Sequence, residues 1–448
     1  METATKRSWG AWWFQFPVSL RHLTLLRAVA AIGAGGVLYL TSMVFHQAQL
    51  GPEQLGLALA LGAVLGAASR LFCGWLLDRG CNASLPVRLA ALAALLGDGL
   101  LLTAQGLPGF QLGLVLQGVA MGLWWPAIEL AVSLSCAPLP SARAYALARS
   151  ADAGGVVAGA LVGALLAGLG WLRGIYVLDM AMQLLLLALL ARQGLPATAR
   201  RALDRPFRGA GSWLPQLAPL LLIAVLATAV TTLMQCALPL DLVRGGLRRQ
   251  PLPEGLGALL IGLQLGLLLL FQWPLGQRLA RRPVAHGLAL SLLCSAAGCL
   301  LLAASALSPQ GLALLVAAQL PLALGQAAFL PIASEAVVEL TPEDQRGSAM
   351  AVFSQCFALS AVLAPPLAGE LMRRQGHALV VWLLMAAGCL AGLALVAQLA
   401  RQQRRLVLRV LSGQEAAGGH GVLYRLPAPL AEAKEGEETP TGPATGPG

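Results

Sequence analysis

The amino-acid sequence contains very little charge for its length. Of its 448 residues, only 11% are Asp, Glu, Lys or Arg and 57% are hydrophobic, whereas a soluble domain carries roughly 25% charged residues. A single water-soluble core cannot enclose so many apolar side chains. The chain instead contains repeated apolar stretches of about 20 residues, the length that a helix needs to cross a bilayer. The composition therefore excludes a soluble globular protein and predicts an all-α protein that crosses the membrane many times.

Several motifs are also missing. The eight cysteines lie almost all within apolar segments and form no CxxC or Cys/His cluster, so we expect neither disulfides nor a metal site. No G-x-x-x-x-G-K-[ST] stretch occurs, which disfavours a nucleotide-driven pump. No nucleophile constellation indicates an enzyme, and no cofactor is expected. Residues 1–21 lack the apolar region of a cleaved signal, and "SWGAWWFQF" is typical of an interfacial anchor.

Hydropathy divides the chain into twelve predicted spans. Their predicted limits are 22–47, 54–77, 86–106, 109–136, 143–169, 171–192, 214–243, 253–279, 284–307, 310–340, 346–372 and 376–400. A polar, basic stretch separates the first six from the last six. We therefore expect a cytoplasmic N-terminal interfacial segment (1–21), an N-terminal six-helix bundle (22–192), a cytoplasmic linker (193–213), a C-terminal six-helix bundle (214–400) and a cytoplasmic, largely disordered tail (401–448).

The basic residues determine the predicted orientation. The net charge of +10 comes mostly from arginines in the gaps between spans, so membrane topology explains it without a nucleic-acid partner. Lys and Arg number nineteen on the side of the N-terminus and six on the other side. Since cytoplasmic loops carry the excess, both termini are expected in the cytoplasm. The scarcity of lysine (Lys6 and Lys434 only) and the abundance of Ala, Leu and Gly are typical of a GC-rich bacterial coding sequence, hence of the bacterial inner membrane.

Three sequence features recur at a nearly constant spacing. "GWLLDR" at 74–79 aligns with "GQRLAR" at 276–281, Pro126 aligns with Pro331, and Arg143 aligns with Arg346. The offsets of 202, 205 and 203 residues agree with the division into six and six spans. The sequence therefore predicts two parallel structural repeats.

The stretch "GWLLDRG" at 74–80 places Asp78 at a helix C-terminus, where the helix dipole disfavours an acid by roughly 0.3–1 kcal/mol. It resembles the G-x-x-x-D-R-x-G signature of the major facilitator superfamily, and the resemblance covers the whole twelve-span chain. The resemblance implies a conformational latch in which Asp78 meets the N-terminus of the eleventh helix. The latch residues are Gly74, Asp78, Arg79, Gly80, Arg88 and Arg346. A solvated Asp78–Arg79 pair is the alternative, and the second repeat has Ala280 instead of an acid.

Glycines and prolines support the same resemblance. "LQGVAMGLWWPA" resembles the fourth helix of the family through Gly118, Gly122 and Pro126, although Leu114 stands where many proton-driven members carry an arginine. A glycine every four residues at 155–163 predicts close helix packing. The residues assigned to helix packing and bending are Gly155, Gly159, Gly163, Pro126, Pro331, Pro365 and Pro366.

Ionisable residues within the spans are functional candidates, because charge is costly in hydrocarbon. Asp98, Asp152 and Asp179 are the candidate proton sites. Asp98 could be held protonated or could face a polar partner that the sequence does not identify. Asp152 lies three residues after Arg149 on one helix face, so the two can pair locally. Near the predicted cytoplasmic ends, snorkelling or pairing equally explains Arg27, Arg70, Arg149 and Glu129.

The resemblance implies that the first, fourth, seventh and tenth helices line a central cavity. The candidate cavity residues are Tyr39, Trp124, Trp125, Glu129, Gln235, Gln319, Gln326 and Phe329, although core packing explains any one of them. A surface rich in aromatic rings and amides suits an uncharged or amphipathic molecule. We expect a monomeric secondary transporter in the lipid bilayer that exports a neutral, lipophilic or amphipathic small molecule, with a proton gradient as a candidate energy source. The alternatives are an importer or facilitator of a neutral metabolite, and a membrane scaffold or sensor that does not transport.

Overall fold

The computed structural model describes residues 13–136, 141–195, 214–279, 282–341 and 346–411. Within these residues it contains twelve long α-helices and no strand. The helices are α1 (Val18–Gln47), α2 (Pro52–Asp78), α3 (Ser84–Thr103), α4 (Leu107–Ser135), α5 (Ser141–Gly168), α6 (Gly174–Arg192), α7 (Leu214–Arg244), α8 (Glu254–Leu279), α9 (Val284–Leu307), α10 (Leu312–Glu339), α11 (Arg346–Gln375) and α12 (Leu379–Leu411). Each is long and apolar enough to cross a bilayer. The predicted all-α membrane fold is therefore confirmed.

The helix ends follow local backbone preferences. Pro52 opens α2 directly after Gly51, a position where its fixed φ suits the first turn. Gly80 and Gly376 follow the ends of α2 and α11 with φ of 83° and 78°, a conformation that favours glycine. Helix α12 continues to Leu411 instead of ending near residue 400. A helix needs no apolar surroundings to continue into water, so hydropathy located the end of the apolar stretch and missed the end of the helix.

Several predicted features fall outside the described residues. They are the Trp-rich segment before residue 13, the linker at 196–213, Ala280 and Arg281 of the second motif copy, and the tail beyond residue 411. The side chains of Asp78, Arg143 and Arg346 are not described either.

The two halves of the chain repeat one packing pattern. In the N-half (α1–α6), α1 packs on α5 and α6, α2 packs on α4, and α3 packs on α4 and α6. In the C-half (α7–α12), α7 packs on α11 and α12, α8 packs on α10, and α9 packs on α10 and α12. Adding six to each helix number converts the first set into the second. The fold therefore consists of two six-helix bundles related as parallel repeats, as the constant offsets predicted.

The halves meet mainly along three helix pairs. Helix α2 packs on α11, α5 packs on α8, and α1 packs on α7. Exchange of equivalent helices turns the α2–α11 pair into the α8–α5 pair, so the two larger seams are equivalent under the repeat. Any site between the halves is consequently enclosed by these two seams.

The glycines of α5 determine how the N-half packs. A Cβ at Gly155 would meet Ala31, a Cβ at Gly159 would collide with the carbonyl oxygen of Ile32, and a Cβ at Gly163 would meet Leu40. All three neighbours belong to α1. The four-residue glycine spacing therefore forms the face on which α1 lies, in the way that small residues allow close helix contact in membranes.

Candidate functional site

The halves are joined at one end of the molecule, which carries the α1–α2, α5–α6, α7–α8 and α11–α12 connections. We call this the closed end. A Cβ at Gly56 of α2 would collide with the carbonyl oxygen of Pro365 in α11, and a Cβ at Gly369 of α11 would collide with that of Pro52. On the other seam, a Cβ at Gly255 would lie 3.0 Å from Cα of Gly168. Backbone meets backbone at this end because these positions lack side chains.

Polar contacts reinforce the closed end. Gln47 Nε2 donates to Glu254 Oε2 at 2.6 Å, which ties α1 to α8. Ser42 Oγ donates to the carbonyl oxygen of Gln235 at 3.4 Å, and the Gln235 side chain hydrogen bonds to Tyr39. These contacts tie α1 to α7. The predicted cavity residues Tyr39 and Gln235 are thus neighbours that help to close this end.

The opposite end, which we call the open end, lacks comparable seams among the described residues. Two glycines lie at this end, Gly74 in α2 and Gly276 in α8. No described atom lies within 4 Å of the position that a Cβ would occupy at either one. The hydrophobic core shows the same division. Apolar residues at the closed end of the N-half share one cluster with the C-half, whereas those at its open end, such as Leu23, Val87 and Ile128, form a separate cluster. Among the described residues, the halves are therefore sealed together at the closed end only.

The latch motif lies at the open end of α2. Gly80 has φ of 83°, so the motif ends in a turn that favours glycine. The Arg79 guanidinium lies 3.7 Å from the centre of the Trp75 ring, and Arg88 Nη2 donates to the carbonyl oxygen of Leu190 at 3.3 Å. No described atom lies within 4 Å of the position that a Cβ would occupy at Gly74. The partners of Asp78 lie outside the described side chains, so the latch stays a prediction.

Arg27 of α1 is the centre of a buried ionic cluster. Its side chain is 0% exposed and pairs with Glu129 of α4 at 3.1 Å and with Asp152 of α5. Arg149 pairs with the same Glu129 oxygen at 3.2 Å. Asp152 thus makes its hydrogen bonds to α1 and not to its helix neighbour Arg149, because Arg27 offers two nitrogens in one plane. Two acids therefore balance two arginines, which the buried Arg27 guanidinium in particular requires.

One side of this cluster is accessible. Trp125 lies against it, with its ring centre 5.7 Å from Arg27 Cζ and 5.2 Å from Arg149 Cζ. The Arg149 side chain is 43% exposed and that of Glu129 is 26% exposed. Both lie in the half of their helix that leads to the open end. An aromatic face beside a carboxylate and a guanidinium is a surface that can bind an amphipathic molecule.

The remaining predicted cavity residues are dispersed. Gln319 is fully buried and its Nε2 donates to the carbonyl oxygen of Leu315 in its own helix, at 2.7 Å. The buried Phe329 has its ring centre 6.5 Å from that of Phe353 on α11. Trp124 packs at the edge of the N-half core, and Gln326 is half-buried. The structure therefore brings Trp125 together with Glu129, and Tyr39 together with Gln235, but does not form one surface from all eight.

Sequence reasoning missed the central role of Arg27. Its place nine residues into α1 was compatible with snorkelling, and nothing in the sequence indicates that α4 and α5 both direct acids at it. Gln264 of α8 was also missed. Its side chain is buried, with the residue 1% exposed, and neither amide atom has a hydrogen-bond partner. Its position inside a span was the available signal.

Two of the three candidate proton-site acids form a second buried group. The carboxyl groups of Asp98 in α3 and Asp179 in α6 lie within hydrogen-bonding distance of each other. Gln117 Nε2 of α4 donates to Asp98 Oδ1 at 2.5 Å, and Gln183 Nε2 donates to Asp179 Oδ1 at 3.0 Å. The residues are 0% and 2% exposed. Asp152 belongs to the Arg27 cluster instead, so the structure separates the three acids into two sites.

A third buried acid has a structural role. Asp241 of α7 pairs with Arg249 at 3.1 Å and accepts a hydrogen bond from Trp382 Nε1 at 3.1 Å. Arg249 Nη1 also donates to Ser305 Oγ at 2.6 Å. The group joins α7, the α7–α8 connection, α9 and α12 within the C-half. It therefore holds the closed end of this half together.

Comparison with known proteins agrees with the architecture. The nucleoside transporter NupG superimposes with a TM-score of 0.71 at 15% identity, over 85% of this chain and 99% of that chain. A POT family transporter in complex with 5-aminolevulinic acid gives 0.71 at 13% identity, over 89% and 96%. At such identities the likeness shows the fold alone. A search of curated protein sequences finds no significant match.

The sequence itself matches a family model. The model of the Major Facilitator Superfamily matches residues 23–283 and 220–434, which together cover the twelve helices except for the first residues of α1. The motif at 74–80, the repeated packing pattern and the half-sealed bundle pair agree with this match. The chain is thus a member of the major facilitator superfamily, an integral membrane protein of the transporter class.

Proposed function

We propose that this protein exports a lipophilic or amphipathic small molecule through alternating access of its two halves, with a proton gradient as the energy source. The observation that carries the proposal is the accessible surface of Trp125, Glu129 and Arg149 at the open end, opposite a closed end sealed by backbone contacts. A site that opens to one side at a time is what such transport needs.

The charge balance of the Arg27 cluster favours this class of substrate. A phosphate or dicarboxylate would need unpaired arginines. Arg27 and Arg149 are instead each paired with an acid. The accessible surface therefore has little net charge, an aromatic face and polar groups at its edge. Such a surface suits a molecule with an apolar body and a small polar head.

The predicted topology is compatible with export. The excess of Lys and Arg on the side of the termini places the open end in the cytoplasm. An exporter takes up its substrate there, so the structure corresponds to its loading state. We place the protein in the bacterial inner membrane as a monomer, with the bilayer and one small molecule as its partners, and assign it no catalytic reaction.

A ligand screen tests the substrate class. Purified protein is heated with a compound library at two pH values, since a ligand that binds the native state raises the melting temperature. We expect amphipathic compounds to stabilise the protein. Trp125→Leu should abolish their effect, whereas Trp171→Leu, at a side chain more than half exposed near the closed end, should leave it intact. Equal stabilisation of both variants would contradict the assigned surface.

Transport in vesicles of opposite orientation distinguishes the rival functions. An exporter accumulates the ligand in inverted vesicles when a proton gradient is applied, and an importer or facilitator of a neutral metabolite does so in right-side-out vesicles or without a gradient. A scaffold or sensor binds without transport in either. The matching superfamily model favours transport over the scaffold.

A further inference from the structure

The acids within the helix bundle differ in what offsets the cost of removing their charge from water. Asp152 pairs with Arg27, and Asp241 pairs with Arg249. Among the described residues, no arginine or lysine forms an ion pair with Asp98 or Asp179. A buried carboxylate without a counter-charge is costly, and two carboxylates in contact cannot both remain ionised.

The groups packed against the pair are all uncharged. Helix α4 contributes the Gln117 amide and α6 contributes the Gln183 amide. Helix α1 contributes backbone at Gly33, where a Cβ would collide with Asp179 Oδ1. Tyr176 of α6 is a titratable neighbour of the pair, and its hydroxyl donates to Thr41 Oγ1 of α1 at 3.3 Å.

Arg173, which directly precedes α6, binds the end of α3. Arg173 Nη1 and Nη2 donate to the carbonyl oxygens of Leu102 and Ala104, each at 2.8 Å, and so cap the end of α3. The donors that do reach the pair each serve one oxygen, and Asp98 Oδ2 is buried without a partner of its own. A hydrogen-bonded contact between two carboxyl groups needs a proton between them. A proton shared by the two carboxyl groups would meet this requirement.

The pair also touches α1, one of the helices that pack between the halves. Gly33 lies on α1 between Arg27 of the ionic cluster and Tyr39 of the closed end, and its missing side chain lets Asp179 contact the α1 backbone directly. A movement of α1 that opens the closed end would change this contact, and with it the surroundings of the two carboxyl groups. Helices α3 and α6 do not take part in the seams between the halves.

We propose that Asp98 and Asp179 form a proton-binding site, behind α1 and outside the cavity between the halves, that holds a shared proton in this conformation and couples its release to the movement of α1. The coupling part rests on the proposed transport function, whereas the proton site does not. One proton per cycle is carried by the pair, while Glu129 and Asp152 remain paired with arginines.

Infrared difference spectroscopy tests the proton directly. Asn imitates a protonated Asp in shape, so Asp98→Asn/Asp179→Asn should fold. When the spectrum of the variant is subtracted from that of the wild type at neutral pH, the difference should show the carbonyl band of a protonated carboxyl group. If the double variant fails to fold, either single variant can replace it. Asp241→Asn is the matched control, since an acid paired with arginine has no such band to lose. Absence of the band, or an equal loss in Asp241→Asn, overturns the site.

Hydrogen–deuterium exchange tests the coupling. Peptides covering 161–173 and 240–257 report opening of the closed end. In wild type their exchange, corrected for the intrinsic effect of pH, should differ between acidic and alkaline buffer, and in Asp98→Asn/Asp179→Asn the difference should vanish. If the exchange of the double variant still differs between the two buffers while the wild type shows the infrared band, the pair is a static hydrogen bond and the coupling is overturned. If the protein transports no ligand although it shows both the infrared band and the pH-dependent exchange, the transport function is refuted and the proton site remains valid.

Discussion

Glycine-to-alanine substitution at the closed end offers the sharpest test of the two-state interpretation. In Gly56→Ala the new methyl group would collide with the carbonyl oxygen of Pro365 across the α2–α11 seam. Backbone cannot rotate away as a side chain can, so the seam must separate. Overpacking of this kind costs typically 1–3 kcal/mol. The gain in helix propensity, about 1 kcal/mol, applies to both states and cancels.

The cost converts into a change of population. If only the sealed state carries it, 1–3 kcal/mol shifts the ratio of open to sealed molecules at this end by about 5–150-fold. Cys236 is a native reporter of this change, because it is 5% exposed and lines a small cavity at the seam with Gly56 and Pro365. In a variant that retains only this cysteine, a membrane-impermeant maleimide should label Cys236 at least fivefold faster after Gly56→Ala.

The control is Gly99→Ala in α3, a helix that lies away from the seams. No described atom lies within 4 Å of the position that the new methyl group would occupy. It should leave the labelling rate of Cys236 unchanged. An unchanged rate in Gly56→Ala, or an equal increase in both variants, would refute the argument that backbone contact seals this end.

Three further substitutions test the buried charges. Arg27→Met leaves Glu129 and Asp152 without their main cation. The melting temperature should therefore fall by an amount equivalent to about 3–5 kcal/mol of stability. Arg149→Gln should cost less than about 1 kcal/mol in the same thermal assay, since its side chain is 43% exposed, yet it should alter ligand stabilisation at Trp125. Trp382→Phe removes the hydrogen bond to buried Asp241 and should cost about 1–3 kcal/mol. A milder effect of Arg27→Met than of Arg149→Gln would contradict the assigned pairing.

Local features of the sequence determined the helices and their repetition. Twelve apolar stretches of span length are sufficient to specify twelve helices, because a backbone in hydrocarbon must satisfy its own hydrogen bonds. The constant offset between GWLLDR and GQRLAR specified the parallel repeat. The four-residue glycine spacing at 155–163 predicted a close helix contact, since it places all three positions on one helix face. Such patterns depend only on residues near one another in the chain.

The partners of the buried charges could be learned only from the tertiary structure. Asp98 and Asp179 are separated by 81 positions in the sequence, and Arg27 is separated from Asp152 by 125 residues. Hydropathy reflects how many charged residues a span contains, but it does not indicate towards which helix a side chain points. The same limit applies to the closed end, where Gly56 meets Pro365 because two seams close together. Which of two states a bundle pair adopts depends on contacts between halves, and these arise only after each half has packed.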